Sequence, residues 1–238
     1  MTDEDIAAAR PELGRNLTHG MLELLGRAIV TGAYADRPFP TEAEIAKVHG
    51  VSRSVTREAV KMLTAKGLVS ARPRQGTIVQ PAKAWNLFDP DVLRWLLERK
   101  FSVELLRQFN QLRIGIEPAA AALAAQFHDA ADLRAIRGGL DAMAAAEAGD
   151  GDALEADIAF HLAILRASKN PFYEQFQMVV ATALRTSIRF TNKIKGRSAN
   201  IVDHRAVADA IERRDPEDAR RAMTAIIGDV LVLIAERD

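Results

Sequence analysis

The sequence predicts a mainly α-helical protein with one small β-hairpin in its first third. Three observations lead there. Two short helical patterns with separate start signals, at Thr41 and Ser52, stand three residues apart. A strand, basic turn, strand pattern follows from Leu68 to Val79, with Gly67 before it and Pro81 after it. From Trp85 onward the apolar residues recur only at helical spacing.

The elements follow in order. Leu17, Met21, Leu24, Leu25, Ala28 and Ile29 form one apolar stripe that stops at Gly32, and Pro38 and Pro40 then enforce a loop. Thr41 with Glu44 three residues later is a capping box, so a helix starts there, and Gly50 ends it. Ser52 can cap the next helix, whose positions Val55, Ala59, Val60, Met62 and Leu63 are apolar and whose stop is Gly67. Helix, capped helix, basic helix and basic hairpin in this order make a winged helix-turn-helix over residues 15–81, after a flexible tail at 1–14.

Residues 82–84 read as a linker, and 82–238 as an all-α antiparallel bundle for ligand binding and dimerisation. Asp89-Pro90, Asn170-Pro171 and Asp215-Pro216 each place a cap before a proline at the first helical position. Between them lie helical patterns from Val103 to Phe127, Ala130 to Ala148, Asp152 to Ala167, Phe172 to about Lys193, and Ile201 to Arg213.

Bulk properties narrow the function classes. At 238 residues and 48% hydrophobic content, two modest cores are affordable and disorder as the main state is excluded. No cysteine is present, which removes disulfides, thiolate metal sites and cysteine nucleophiles and fits a reducing cytoplasm. No apolar run approaches the roughly 18 residues of a membrane span, so a cytoplasmic protein is expected. The net charge is zero, yet residues 15–80 carry ten Lys and Arg against five acids, which leaves −5 for the rest. A basic module joined to an acidic one suits a nucleic-acid partner for the first alone.

In a helix-turn-helix the start of the second helix enters the major groove. Here it carries Ser52, Arg53, Ser54, Thr56 and Arg57. Arginine can hold guanine O6 and N7 through two hydrogen bonds, and short hydroxyls can donate to phosphate oxygens. In the hairpin, Arg72 and Arg74 flank a tip at Gln75-Gly76, where a residue without a side chain lets the backbone approach the nucleic acid.

In the second half, Asp157 and His161 stand four apart on one helix, so their side chains lean the same way and can share a ligand. His204 lies near the start of a later helix. Carboxylate and imidazole groups suit zinc, nickel, manganese or iron, and they can equally serve a structural role. Metal-assisted hydrolysis by Asp157, His161 and His204 is one alternative function, although no further acid-base residue with recognisable spacing accompanies them. An architectural DNA-binding protein is another; it would need no polar site in the bundle.

The run Pro40-Thr41-Glu42-Ala43-Glu44-Ile45-Ala46, with Val51-Ser52-Arg53-Ser54-Val55-Thr56-Arg57-Glu58-Ala59, resembles the gluconate-repressor (GntR) superfamily. The resemblance implies a transcriptional regulator whose Ser52, Arg53, Ser54, Arg57 and Gly76 contact the operator. Ala43 departs from the arginine that members often carry there, so one contact is missing or supplied elsewhere.

Asp157-Ile158-Ala159-Phe160-His161, Ala167-Ser168-Lys169-Asn170-Pro171 and the stretch from His204 to Asp215 resemble the FadR-like (FCD) ligand domain. That resemblance implies a divalent metal on Asp157, His161 and His204, with the fourth family ligand position occupied by Ile226. Either the metal completes its shell with water and effector, or the residues bind the effector directly. Arg113 matches a position that the family often turns toward the effector; its plain alternative is a surface ion pair with Glu117. Asn200, Arg185 and Phe190 are further effector candidates.

Residues 84–98, with Trp85, Phe88 and Trp95, resemble regulators of sugar-acid catabolism of the galactonate type. The expectation is a homodimeric repressor of small-carboxylate catabolism, released from double-stranded operator DNA by a sugar acid.

Overall fold

The computed structural model describes residues 16–99, 103–182, 184–185 and 200–236. They divide into two compact units, one ending at residue 99 and one starting at 103.

In the first unit, α1 (Leu17–Val30) starts at Asn16, whose side chain accepts the His19 N–H. Helix α2 (Glu42–His49) begins with the expected capping box, in which Glu44 also accepts the Thr41 N–H at 2.7 Å. Gly50 ends it in the left-handed conformation, with φ 64°. Helix α3 (Arg53–Ala65) is capped by the Ser52 hydroxyl, which accepts the Val55 N–H. Strands β1 (Val69–Arg72) and β2 (Gly76–Val79) pair antiparallel, Val69 opposite Val79 and Arg72 opposite Gly76. Among the described residues this hairpin is the whole β-sheet content. The expected winged helix-turn-helix is therefore formed.

The unit extends beyond residue 81. The linker 82–84 is one 3-10 turn, after which α4 (Pro90–Arg99) lies against α1. Trp95 of α4 is fully buried in one core with Met21, Leu22, Leu25, Ile45, Leu63 and Leu68. This grouping differs from the expected boundary, because Val92 and Trp95 supply apolar surface that three short helices and a hairpin lack.

The second unit holds α5 (Val103–Phe127), α6 (Ala130–Glu147), α7 (Ala153–Ala167), α8 (Pro171–Gln175), α9 (Ile201–Glu212) and α10 (Pro216–Ala235). Helix α10 packs along α5 and α7 along α6, while α9 contacts α5, α6 and α10. Small residues allow close approach: Ala121, Ala124 and Ala125 of α5, Ala163 and Ala167 of α7, and Ala208 and Ala210 of α9 are buried in one core. A Cβ at Gly139 would lie 3.0 Å from the Phe160 backbone, so α6 and α7 touch there almost backbone to backbone.

The expected single helix from Phe172 to about Lys193 is instead broken at Phe176, where the chain turns before continuing as helix over 177–182. Phe176 and Tyr173 pack against the apolar cluster that includes Leu165, Val180 and Leu184. The end of that expected helix lies outside the described residues. No helix among the described residues is long and apolar enough to cross a membrane.

Candidate functional site

On the first unit, Ser52, Arg53, Ser54 and Arg57 are exposed along the start of α3. Its first turn carries no acid, unlike that of α2 with Glu42 and Glu44. Arg57 places Nε 3.4 Å from Glu42 Oε2. Thr56 corrects the expectation: it is fully buried, and its hydroxyl donates to the Ser52 carbonyl at 3.4 Å. It faces the core beside Ala59 and Val60 rather than a groove. In the hairpin, Arg72, Arg74 and Gly76 are exposed. Both Arg74 (φ 64°) and Gly76 (φ 77°) lie in the left-handed region, which an arginine adopts only at a cost.

In the second unit, Asp157 and His161 share one face of α7, and His204 of α9 lies beside them. Asp157 Oδ1 lies 3.2 Å from His161 Nε2 and 3.1 Å from His204 Nε2. All three are buried, and their possible ligand atoms fall within 4.8 Å of one another.

The far sides of the two rings are occupied. His204 Nδ1 lies 2.8 Å from the Asn200 carbonyl oxygen, which can only accept, so Nδ1 carries the proton. His161 Nδ1 lies 2.6 Å from Glu117 Oε2. With each ring singly protonated on Nδ1, both Nε2 lone pairs would face the Asp157 carboxylate. Lone pairs opposed at such distances in a buried site need a cation between them, a proton or a metal.

Arg113 is buried, 3% exposed, and not on the surface. Its Nε donates to Glu117 Oε1 at 2.6 Å and its Nη1 to Asn110 Oδ1 at 3.1 Å. Glu117, which sequence reading treated only as the partner of Arg113, thus joins Arg113 to His161. Burial raises its carboxyl pKa, but the charges of Arg113 and His161 outweigh this and hold it at about 2. Burial disfavours the His161 imidazolium, yet the Glu117 charge and hydrogen bonds to Asp157 and Glu117 push its pKa up to about 9. Asp157 is held below the ordinary carboxylate range: the hydrogen bonds from His161 and His204 overcome burial.

Other candidates do not join the cluster. Arg185 pairs with Glu155 through Nε at 2.8 Å and Nη2 at 3.0 Å. The Asn200 side chain caps α9 at the Val202 N–H, and only its main-chain carbonyl reaches His204. Ile226 packs against the alanine-rich core and supplies no ligand. Phe190 lies outside the described residues.

A winged helix-turn-helix joined to a helical unit with a buried carboxylate and imidazole cluster defines a DNA-binding regulator with a ligand domain. The chain belongs to the gntR family of bacterial regulatory proteins, matched over residues 20–79, and residues 108–229 match the FCD domain. The chain is 33% identical over 217 residues to the galactonate operon transcriptional repressor of Escherichia coli, covering 89% of this chain and 94% of the relative. It is 32% identical over 193 residues to the HTH-type transcriptional regulator LutR of Bacillus subtilis, covering 78% and 86%. The solved structure of Lar from Listeria monocytogenes shares the fold at 19% identity, with a TM-score of 0.57 and coverage of 94% and 99%. The protein is accordingly a ligand-responsive transcriptional regulator and not an enzyme.

Proposed function

We propose that this regulator is a homodimeric cytoplasmic repressor released from its operator by a small carboxylate, of the sugar-acid class, that binds at a divalent metal held by Asp157, His161 and His204. The observation that carries this reading is the charge balance of the buried cluster. Arg113 and a protonated His161 balance Glu117 and Asp157 when no metal is bound; with a metal in place of that proton the imidazoles are neutral, and Arg113 at +1 with Glu117 and Asp157 at −1 each leaves a net −1 in a buried site. A divalent ion turns this to +1, and one carboxylate brings it to zero. The metal supplies the positive charge on which an anionic effector can be held, while Glu117 and the Asn200 carbonyl orient the two imidazoles. Zinc, nickel and manganese all suit one carboxylate and two imidazoles. The names of the galactonate and LutR relatives point to operons and regulators, and the first to a sugar acid; that class is carried over to this chain here.

A metal-free variant of the same reading is favoured by His161 itself, whose raised pKa lets a proton serve as the cation. On the first unit, Ser52, Arg53, Ser54, Arg57, Arg72, Arg74 and Gly76 are assigned to DNA, two copies of α3 reading two half-sites.

Thermal-shift titration of the full chain with sugar acids, with and without Zn²⁺ or Mn²⁺, tests the site. The expected result is a shift for a sugar acid that grows when metal is present, and release of DNA in a gel-shift assay by the same compound. Asp157→Ala and His204→Ala should bind DNA and no longer release it. A variant that releases normally removes the cluster from effector recognition.

A further inference from the structure

Helix α3 is held at its C-terminal end. Its start faces solvent, and its end is tied to the beginning of α4. Lys66, the residue that closes α3, sets its ammonium 2.8 and 2.7 Å from the two carboxylate oxygens of Asp89 and 2.8 Å from Asp91 Oδ2. The side chain is only 11% exposed. The Asn86 N–H donates to the Lys66 carbonyl at 3.0 Å, so main chain and side chain of one residue are both held by the segment leading into α4. Gly67 follows in the left-handed conformation, and a Cβ there would lie 2.4 Å from the Ala84 carbonyl oxygen. At the next turn of α4, Trp95 Nε1 donates to Glu23 of α1 at 2.9 Å, and Arg94 pairs with the same carboxylate.

We propose that Lys66, Asp89 and Asp91 are positioning residues for DNA reading, and that α4 is the lever that sets the angle of α3. With three charge-assisted bonds to two carboxylates, the Lys66 ammonium has its donors committed and its charge neutralised, so it is not a phosphate ligand. Its place at the last turn of α3 makes it a fulcrum: a tilt there displaces Arg53 and Arg57, about three and a half and two and a half turns away, by the most. Helix α4 is followed after three residues by α5, which carries Arg113 and Glu117, so chain connectivity runs from the ligand cluster to this grip.

The inference rests on α3 being the reading helix, and the experiment separates the two. Duplexes selected by the wild-type full chain from a randomised library, and scrambled duplexes of equal length, serve as probes. Arg57→Ala tests the reading helix itself: undiminished affinity for the selected duplex overturns that assignment whatever Lys66 does. Lys66→Met, Asp89→Asn with Asp91→Asn, and Lys66→Arg then test the grip. For Lys66→Met and for the double carboxylate variant the expected outcome is an affinity for the selected duplex lower by about tenfold, the scale of one lost base contact. Affinity for the scrambled duplex and the salt slope should stay unchanged, and Lys66→Arg should retain most of the specific affinity.

Removal of the carboxylates gives the decisive sign. If it strengthens binding to both duplexes and steepens the salt slope, Lys66 is a masked phosphate ligand and the proposal fails. An unchanged ratio of specific to scrambled affinity with only a lower unfolding temperature also overturns it. Should Lys66→Met not fold, the single Asp91→Asn variant carries the same comparison.

Discussion

His161 Nδ1 lies 2.6 Å from Oε2 of Glu117, and both side chains are buried. The contact is an ion pair without hydrogen-bond geometry, and the Glu117 charge favours a proton on Nδ1, which makes Nε2 the ligand atom. Glu117→Gln keeps the shape and removes the charge. The expected outcome is a Zn²⁺ or Mn²⁺ affinity lower by roughly 10–100-fold, the usual cost of losing such an outer partner. Calorimetric metal titration of the folded variant checks it. Affinity equal to wild type would show that Glu117 serves Arg113 alone.

Thr56 and Arg57 are neighbours in sequence and opposite in surroundings, one fully buried and one exposed. Arg57→Ala is expected to abolish selective operator binding. Thr56→Val, which loses one long hydrogen bond to the Ser52 carbonyl, is expected to leave DNA affinity within twofold and to change stability by less than about 1 kcal/mol. Gel-shift titration beside chemical denaturation separates the effects. A Thr56→Val protein that folds and no longer binds would put the hydroxyl back in the groove.

These two residues also show where sequence reasoning stops. The capping box of Thr41 and Glu44 and the proline starts at Pro171 and Pro216 are local chemistry, and each sits where the sequence places it. Asp157 and His161 were legible because four residues on a helix return to the same face, and the fold brought His204 to them. Depth is not local. The pair Arg113 and Glu117 has the same spacing on a surface as in a core, so its burial and its reach to His161 depend on α7 packing against α5. Asn200 acts through its main-chain carbonyl, which no side-chain pattern announces. Trp95 suggested packing, and its burial beneath α1 became visible only with the position of Gly26, where a Cβ would fall 2.2 Å from the indole.

Arg74 holds a positive φ of 64° at the exposed hairpin tip, where glycine would sit without strain. Retaining arginine there costs on the order of 1 kcal/mol, and no packing offsets it, since the residue is exposed. The turn sets this φ, since the Gln75 N–H donates to the Arg72 carbonyl at 3.2 Å with Pro73 and Arg74 between them, and under the proposed function the arginine there serves DNA. Arg74→Gly is therefore expected to leave the unit as stable or slightly more so, while weakening DNA binding for selected and scrambled duplexes alike. The slope of affinity against salt should fall by about one counterion. Filter-binding titrations at several salt concentrations read both. An unchanged slope would mean that the hairpin tip does not touch phosphate.

Asp91 and Lys66 predict how the first unit responds to pH. Burial opposes the ionised Asp91, but hydrogen bonds and charge from Lys66, then Arg94, outweigh it and lower its pKa. Lys66 is likewise desolvated, yet its bonds to Asp89 and Asp91 raise its pKa. A depressed carboxylate pKa gives stabilisation that is fully present above the unfolded value, about 3.9, and is lost as pH falls through the lower folded value. A raised lysine pKa gives stabilisation that is fully present below about 10.4 and is lost as pH rises through the folded value. Between these limits the ion cluster contributes fully. Both tryptophans of the chain, Trp85 and Trp95, belong to this unit, so their fluorescence follows its unfolding alone. Urea midpoints taken from pH 7 down to pH 3 should fall more steeply for the wild type than for Asp91→Asn, with the two curves converging at the acid end. The difference between them should be constant through neutral pH and close only below about pH 4. Parallel curves across the whole range would mean that the Asp91 carboxylate contributes nothing to the folded unit beyond what the amide supplies.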